Sequence, residues 1–156
     1  MSTTLSLLVD NSFGVLTRIT GLVARRGFNI ESLAVSRAEG YAKSRITLVV
    51  NAKEDAVEQV TKQLHKLINV HKITDLSKVA SAQRELVLFK VKADAEKRHE
   101  LIEIASVFRA KVVDISPSHL IIEATGDTGK LNALEDLLMP YGIIEIARTG
   151  KVALAR

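Results

Sequence analysis

The sequence has no cysteine, no tryptophan, two prolines and only six phenylalanine or tyrosine residues among its 156 positions. Without cysteine there is no disulfide, no thiolate metal ligand and no cysteine nucleophile, which suits a reducing compartment. Unbroken apolar runs reach about four residues, whereas a membrane helix needs roughly 20. The N-terminal segment also lacks the basic head and apolar stretch of a signal peptide. We therefore expect a cytoplasmic protein with no membrane partner.

Charge of one sign is not concentrated anywhere in the sequence. There are 22 Lys and Arg against 18 Asp and Glu; residues 1–80 hold 11 basic and 7 acidic side chains, and residues 81–156 hold 11 of each. No run of five or six like charges marks a nucleic-acid-binding tail. The hydrophobic fraction of 47% is enough for a packed core. The length allows one ordinary domain or two small ones.

The apolar pattern of the first half predicts alternating strands and helices in the order βαββαβ. Residues 5–9 have the character of a strand, and from Val15 onward apolar residues recur with helical spacing until Gly27, a suitable helix stop. A slip in the alternation between Ile30 and Leu33 predicts a bulge. The other predicted elements are strands 28–35 and 44–51, a helix over 56–68 and a strand over 70–76.

The second half repeats this order at an offset of about 80 residues. Its predicted elements are strand 85–91, helix 101–108, strands 111–115 and 120–124, helix 131–141 and strand 143–147. Residues 77–83 form the expected linker, so we predict domains over 1–77 and 83–156. This is an α+β fold with two ferredoxin-like βαββαβ sandwiches in tandem. An edge strand or a bare sheet face invites pairing with a second copy, so we expect a homodimer.

Catalytic and metal-binding patterns are missing from the sequence. The four histidines, His65, His71, His99 and His119, have no ligand spacing, and there is no Gly-x-Ser-x-Gly elbow. Residues 125–131 (TGDTGKL) resemble a phosphate loop only in part, because two residues separate the glycines and a leucine follows the lysine. A strand-to-helix turn with Asp127 or Thr128 as N-cap fits better. We predict that this chain is not an enzyme.

The segment from Asp10 to Leu16 is the most informative part of the sequence. A short loop containing Gly14 leads directly into the first predicted helix, where free backbone N–H groups can hold a carboxylate. Gly14 would let a ligand approach the backbone closely, and Asn11 offers an amide. The alternative is that Asn11 or Ser12 only caps the helix and Gly14 only eases the turn. Asn29 is either a strand-edge residue or an amide aimed across a dimer interface.

A set of ordered motifs resembles one known family. Residues 5–16 (LSLLVDNSFGVL) and 26–33 (RGFNIESL) are similar to the amino-acid-binding ACT domain of the small, regulatory subunit of acetolactate synthase (acetohydroxyacid synthase). Further similar stretches are 46–47 (IT), 58–67 (EQVTKQLHKL), 108–110 (FRA), 113–115 (VDI), 123–126 (EATG), 129–131 (GKL) and 145–150 (EIARTG). The resemblance covers nearly the whole chain, with the ACT domain over 1–77 and the C-terminal domain of that subunit over 83–156.

The resemblance implies a regulatory protein without cofactors of its own. Members of the family bind and activate a catalytic large subunit, expected to use thiamine diphosphate, Mg²⁺ and FAD, and make it sensitive to valine, sometimes leucine or isoleucine. The amino-acid effector would sit between paired ACT domains of a homodimer. The resemblance assigns Ser12, Phe13 and Gly14 to its carboxylate, Asn11 to its amino or carboxylate group, and Val15 and Leu16 to its side chain. Asn29 and Ile30 would reach in from the partner chain.

Other functions remain as alternatives. A stand-alone ACT-type amino-acid sensor could act on a different partner, but a transcriptional sensor would need a helix-turn-helix for which no length is spare. RNA-recognition domains share the ferredoxin-like fold and stack bases on aromatic residues. Here Arg26-Gly27-Phe28 begins like their signature, but Asn29-Ile30 departs from it. We therefore expect no nucleic-acid partner.

Overall fold

The computed structural model describes residues 2–40 and 42–156, and these form two compact units. The first unit runs to Ala82 and also includes Lys151–Arg156, and the second comprises Gln83–Gly150. Each unit has an antiparallel sheet with two helices packed on one face. The predicted α+β class and the tandem of ferredoxin-like units are confirmed.

The first unit has six elements around one sheet. They are β1 (Ser2–Asp10), α1 (Val15–Arg25), β2 (Asn29–Arg37), β3 (Lys43–Asn51), α2 (Glu54–His65) and β4 (Val70–Asp75). The strand order is β2-β3-β1-β4, so β2 and β4 are the edge strands. The predicted bulge is present, because the pairing of β2 with β3 shifts register between Ile30 and Ser32.

The core of the first unit is formed by apolar residues that recur with strand spacing on its sheet and with helical spacing on its helices. Leu5, Leu7 and Val9 alternate along β1 and are at most 1% exposed, as expected for residues on one face of a strand. Ile19 and Val23, four residues apart on α1, are fully buried against them. Gly27 follows the end of this helix with a φ of 80°, a left-handed conformation that suits glycine.

The second unit repeats the topology. Its elements are β5 (Ser81–Lys92), α3 (Arg98–Val107), β6 (Lys111–Ile115), β7 (His119–Gly126), α4 (Thr128–Leu138) with a 3-10 turn (Met139–Tyr141), and β8 (Ile143–Arg148). The strand order is β6-β7-β5-β8. Phe89, which is fully buried, is the largest side chain in its core. Of the two predicted candidates, Asp127 and Thr128, Asp127 is the N-cap of α4, since its carboxylate accepts the Lys130 N–H at 2.8 Å.

The domain boundaries differ from the sequence expectation at two places. The linker is shorter than 77–83, because β5 already begins at Ser81. A further strand, β9 (Val152–Ala155), was missed; it pairs with β5, and its segment Lys151–Arg156 belongs to the first unit rather than to a second domain over 83–156. The physical reason is hydrogen bonding at both ends of the segment. The Lys151 N–H donates to Ser32 Oγ, and the Arg156 N–H donates to the Ala80 carbonyl, both at 2.9 Å.

Candidate functional site

The loop between β1 and α1 begins α1 with a glycine rather than with a side-chain cap. Gly14 occupies the N-cap position with a φ of 83°, and α1 has no side-chain cap hydrogen bond. The interpretation of Asn11 or Ser12 as a side-chain cap is therefore wrong. Asn11 Oδ1 instead accepts the Ser44 hydroxyl at 3.1 Å, and the Asn11 N–H donates to the Ala42 carbonyl at 2.8 Å.

This helix start has the properties of an anion site. The first N–H groups of a helix have no intrahelical partner and lie at the positive end of the helix dipole. Ser12 and Phe13 are exposed, and a Cβ built on Gly14 would meet no atom within 4 Å. The space beside Gly14 is open to a ligand, while its positive φ disfavours any other residue.

Val15 and Leu16, the two residues assigned to the side chain of the effector, differ in exposure. The Val15 side chain is 4% exposed and packs in the core, so only its backbone faces the loop. Leu16 is 38% exposed and Phe13 is fully exposed. Phe13, which was assigned to the carboxylate through its backbone, is therefore also an apolar side chain at the surface beside the candidate site.

A polar network at the base of the loop was not predicted from the sequence. Asp10 receives hydrogen bonds from His71 and from Asn69 Nδ2, the latter at 3.0 Å, and Arg18 donates to Asn69 Oδ1 at 3.0 Å. The hydrogen bond to His71, and secondarily the one to Asn69, lowers the pKa of Asp10. The network ties the end of β1 to the start of β4 and to α1. No local pattern could have revealed it, because about 60 residues separate its members along the chain.

Asn29 and Ile30 lie far from the loop within one chain. Asn29 begins β2 and pairs with Asn51, which also pairs with Ser2 at the start of β1. The loop follows Asp10 at the other end of β1, and eight residues of extended strand span roughly 26 Å. Asn29 is exposed, whereas Ile30 is partly buried against the core. The structure thus brings residues 11–16 together but not with Asn29 and Ile30 of the same chain.

Residues 2–40 and 42–156 contain no group of three or more potential metal-ligating side chains. None of the helices in this part of the chain has the length and apolar content required to cross a membrane. The cytoplasmic location stays a prediction.

The fold and the loop define the class of protein. Residues 5–72 match the family profile described as an AHAS small subunit-like ACT domain, and residues 84–156 match the one described as the small subunit of acetolactate synthase. The first unit is therefore an ACT domain.

Similarity to whole proteins defines the family. The chain is 54% identical over 153 residues to the acetolactate synthase small subunit of Mycobacterium bovis, covering 98% of this chain and 91% of that protein. It is 50% identical over 156 residues to a probable acetolactate synthase small subunit of Archaeoglobus fulgidus, covering 100% and 98%. The crystal structure of the acetolactate synthase small subunit from Thermotoga maritima, 38% identical, matches with a TM-score of 0.89 over 100% of this chain and 98% of that one.

The chain belongs to the acetolactate synthase small-subunit family. It is a non-catalytic, regulatory subunit, and its partner is the catalytic subunit of acetolactate synthase.

Proposed function

We propose that this chain activates the catalytic subunit of acetolactate synthase and makes it subject to feedback inhibition by valine. Leucine and isoleucine are the other candidate effectors. The catalytic subunit is expected to carry thiamine diphosphate, Mg²⁺ and FAD. The observation that carries the proposal is the uncapped, glycine-led start of α1, with open space beside Gly14.

The effector carboxylate would bind at the start of α1. The Val15 N–H has a long bond of 3.5 Å to the Ser12 carbonyl, and the N–H groups that directly follow have no partner within the helix. Such groups and the helix dipole attract a carboxylate without the help of a lysine or arginine. Asn11, whose amide oxygen is oriented by the Ser44 hydroxyl, would contact the polar groups of the effector. Leu16 and the exposed Phe13 would face its aliphatic side chain, since amino-acid sites combine an anion nest with an apolar wall.

The second half of the site would come from another copy of this chain. Strand β2 is an edge strand, and a symmetric antiparallel pairing of two copies centred on Leu33 would place the partner's Asn29 opposite Arg37. Arg37 pairs with Ser44, and Ser44 pairs with Val9, directly before the loop. The two chains would thereby form two equivalent sites. Val35, 45% exposed on the same strand, is available to such an interface.

Feedback would follow from the effect of the effector on this pairing. Valine bound between two ACT domains would favour one arrangement of the two chains, which the catalytic subunit senses through its contacts. Allosteric coupling of this kind is typically about 1–3 kcal/mol. It is reciprocal for binding, so the arrangement that activates the catalytic subunit must bind valine more weakly.

The direct test measures acetolactate formation by the purified catalytic subunit, with and without this chain, while L-valine is titrated. We expect stimulation by the chain and its reversal by valine. If only leucine or isoleucine reverses the stimulation, that amino acid is the effector instead of valine. Absence of stimulation, with a cognate catalytic subunit and its cofactors, would contradict the proposal and favour a stand-alone amino-acid sensor that acts on another partner.

A mixed dimer tests whether the site is shared between chains. Copies carrying Gly14→Asp and copies carrying Asn29→Ala are co-expressed with different tags, and the heterodimer is purified. If each site combines the loop of one chain with Asn29 of the other, the heterodimer keeps one intact site, whereas both homodimers keep none. Half-stoichiometric valine binding in the heterodimer alone supports the shared site. Absence of binding in all three species indicates a site within one chain.

We assign the second unit to contact with the catalytic subunit. A groove between α3 and α4 has an apolar lining that includes Ile104, Phe108 and Leu137, with Glu100 and Glu103 at its rim. Leu137 is 49% exposed, so Leu137→Asp should leave the fold intact while it weakens binding of the catalytic subunit. Val79→Asp is a matched control, since Val79 is 47% exposed in the linker. Equal activation by both variants would contradict the groove assignment.

A further inference from the structure

The ACT unit has a cavity on the sheet face opposite its helices. The core-facing residues of β1 are Leu5, Leu7 and Val9, whereas Ser6 and Leu8 point to the other side. On that side Ser6 and Leu8 line a cavity of about 250 Å³, together with side chains from β3, β4 and the C-terminal segment. The cavity lies on the sheet surface and not in the loop between β1 and α1.

The strand register places two cations in one row across the cavity. Leu8 on β1 pairs with Arg45 on β3 and with Lys72 on β4. Residues directly opposite each other in a sheet point to the same face, so the arginine and the lysine flank Leu8. Two strand spacings separate their backbones by about 10 Å. In the next row, Ser6 pairs with Thr74 and adds two hydroxyl groups to the cavity lining.

The arginine is held in place by neighbours. Arg45 donates to Ser6 Oγ at 3.2 Å and to the Glu39 carboxylate at 2.9 Å, and its side chain is 27% exposed. Lys72 lines the same cavity, and no salt bridge to it is found among residues 2–40 and 42–156. The lining therefore holds two cations and one carboxylate, which leaves the cavity with a net positive charge.

The remaining lining is aliphatic. Leu8, Leu76, Leu154 and Ala155 supply it, the last two from the C-terminal segment. This segment is fixed at both ends by the bonds of Lys151 to Ser32 and of Arg156 to Ala80. A small molecule in the cavity would thus meet cations and hydroxyls on one side and methyl groups on the other, a combination typical of small-molecule sites.

We propose that this cavity binds a small aliphatic carboxylate that carries no ammonium group. The carboxylate meets Lys72 and Arg45, and the aliphatic chain contacts Leu8, Leu76 and Leu154. An amino acid fits less well, because Glu39 is the one carboxylate among the lining residues and it already pairs with Arg45. This site is separate from the proposed effector site and does not depend on it.

The test uses 3-methylbutanoate as the probe and isothermal titration with the whole chain. Saturable binding is expected, with an affinity at least about tenfold weaker in Lys72→Gln and Arg45→Gln, since a lost charged hydrogen bond costs about this factor or more. Lys72 is exposed, so its variant should fold normally. Lys66→Gln, an exposed lysine after α2, is the matched control and should bind like the wild type.

Two further comparisons identify where and how the probe binds. Gly14→Asp should retain full binding of 3-methylbutanoate, whereas binding lost in this variant would place the probe in the loop and overturn the proposal. 3-Methylbutylammonium, of the same shape and opposite charge, should not bind. Equal affinity for both probes, an unchanged affinity in Lys72→Gln, or no saturable binding of the acid would each overturn it.

Discussion

The two units share one topology but begin their first helices differently. In the ACT unit, α1 starts at Gly14 without a side-chain cap. In the second unit, the N-cap residue of α3, Lys97, likewise has no side-chain cap hydrogen bond, but the Asp94 carboxylate accepts the N–H groups of Glu96 and Lys97 at 3.0 and 2.9 Å in the turn just before α3. The second unit thus supplies a carboxylate from its own chain, whereas in our proposal the first receives one from the effector. The comparison explains why only one of two similar units is a candidate effector site.

The two units also differ in net charge. With the C-terminal segment included, the first unit has 13 basic against 7 acidic residues, and the second has 9 against 11. The net charges are therefore +6 and −2, which a division of the sequence near its middle does not reveal. A basic unit favours anionic ligands, and an acidic one favours a basic partner surface.

Gly14→Asp would give α1 a carboxylate at its start, as the turn before α3 already has. We expect this substitution to have the largest effect of those considered, on inhibition by valine. The new carboxylate would occupy the anion site and repel the effector carboxylate, so we expect complete loss of valine inhibition while activation persists. The acetolactate assay measures both. Gly14→Asn is the matched control, because asparagine has the same shape, no charge and better tolerance of positive φ. A valine response that is equal in both variants would argue against the carboxylate site.

Phe89→Ala should cost the second unit about 3–5 kcal/mol of unfolding free energy, as is usual for a fully buried phenylalanine. Leu88, its neighbour on the same strand, is 36% exposed, so Leu88→Ala should cost about 1 kcal/mol or less of unfolding free energy. Urea unfolding followed by circular dichroism measures both. Similar costs would mean that Phe89 is not central to the core.

Asp94→Ala should cost about 0.5–2 kcal/mol, because it removes the carboxylate that satisfies the N–H groups before α3. Ser12→Ala, in the corresponding loop of the ACT unit, should change the unfolding free energy by less than about 0.5 kcal/mol, since α1 has no side-chain cap. Urea midpoints of the two variants provide the comparison. A larger cost for Ser12→Ala would show that the two helix starts are alike after all.

The Asp10 network should give the smallest effect, visible as a pH dependence. Its hydrogen bond to His71 lowers the pKa of Asp10 in the folded chain, so this stabilisation is present above the unfolded pKa and is lost as pH falls through the folded value. Wild type should therefore lose stability relative to Asp10→Asn as pH falls from about 5 through the ordinary aspartate pKa and below it. In His71→Gln, the pKa of Asp10, followed by NMR, should rise; an unchanged pKa would contradict the cause assigned to it.

Local patterns in the sequence predicted the fold, but not contacts between distant residues. Alternation and helical spacing predicted both units, and single residues predicted the helix stop at Gly27 and the cap at Asp127. The strand at residues 152–155 was missed because four residues carry too little pattern, and its place depends on pairing with β5. The contacts of Asp10 with Asn69 and His71 arise only when β1 and β4 meet. The pairing of Asn29 with a loop depends on a second chain and stays a prediction.

The return of the C-terminal segment to the ACT unit has a consequence for biosynthesis. The ribosome releases residues 151–156 after the whole of the second unit, yet they belong to the first. The nascent ACT unit can form its six main elements early, but its sheet face gains Leu154 and Ala155 only after the second unit has been translated. Completion of the first unit is in this way delayed until the second has been synthesised.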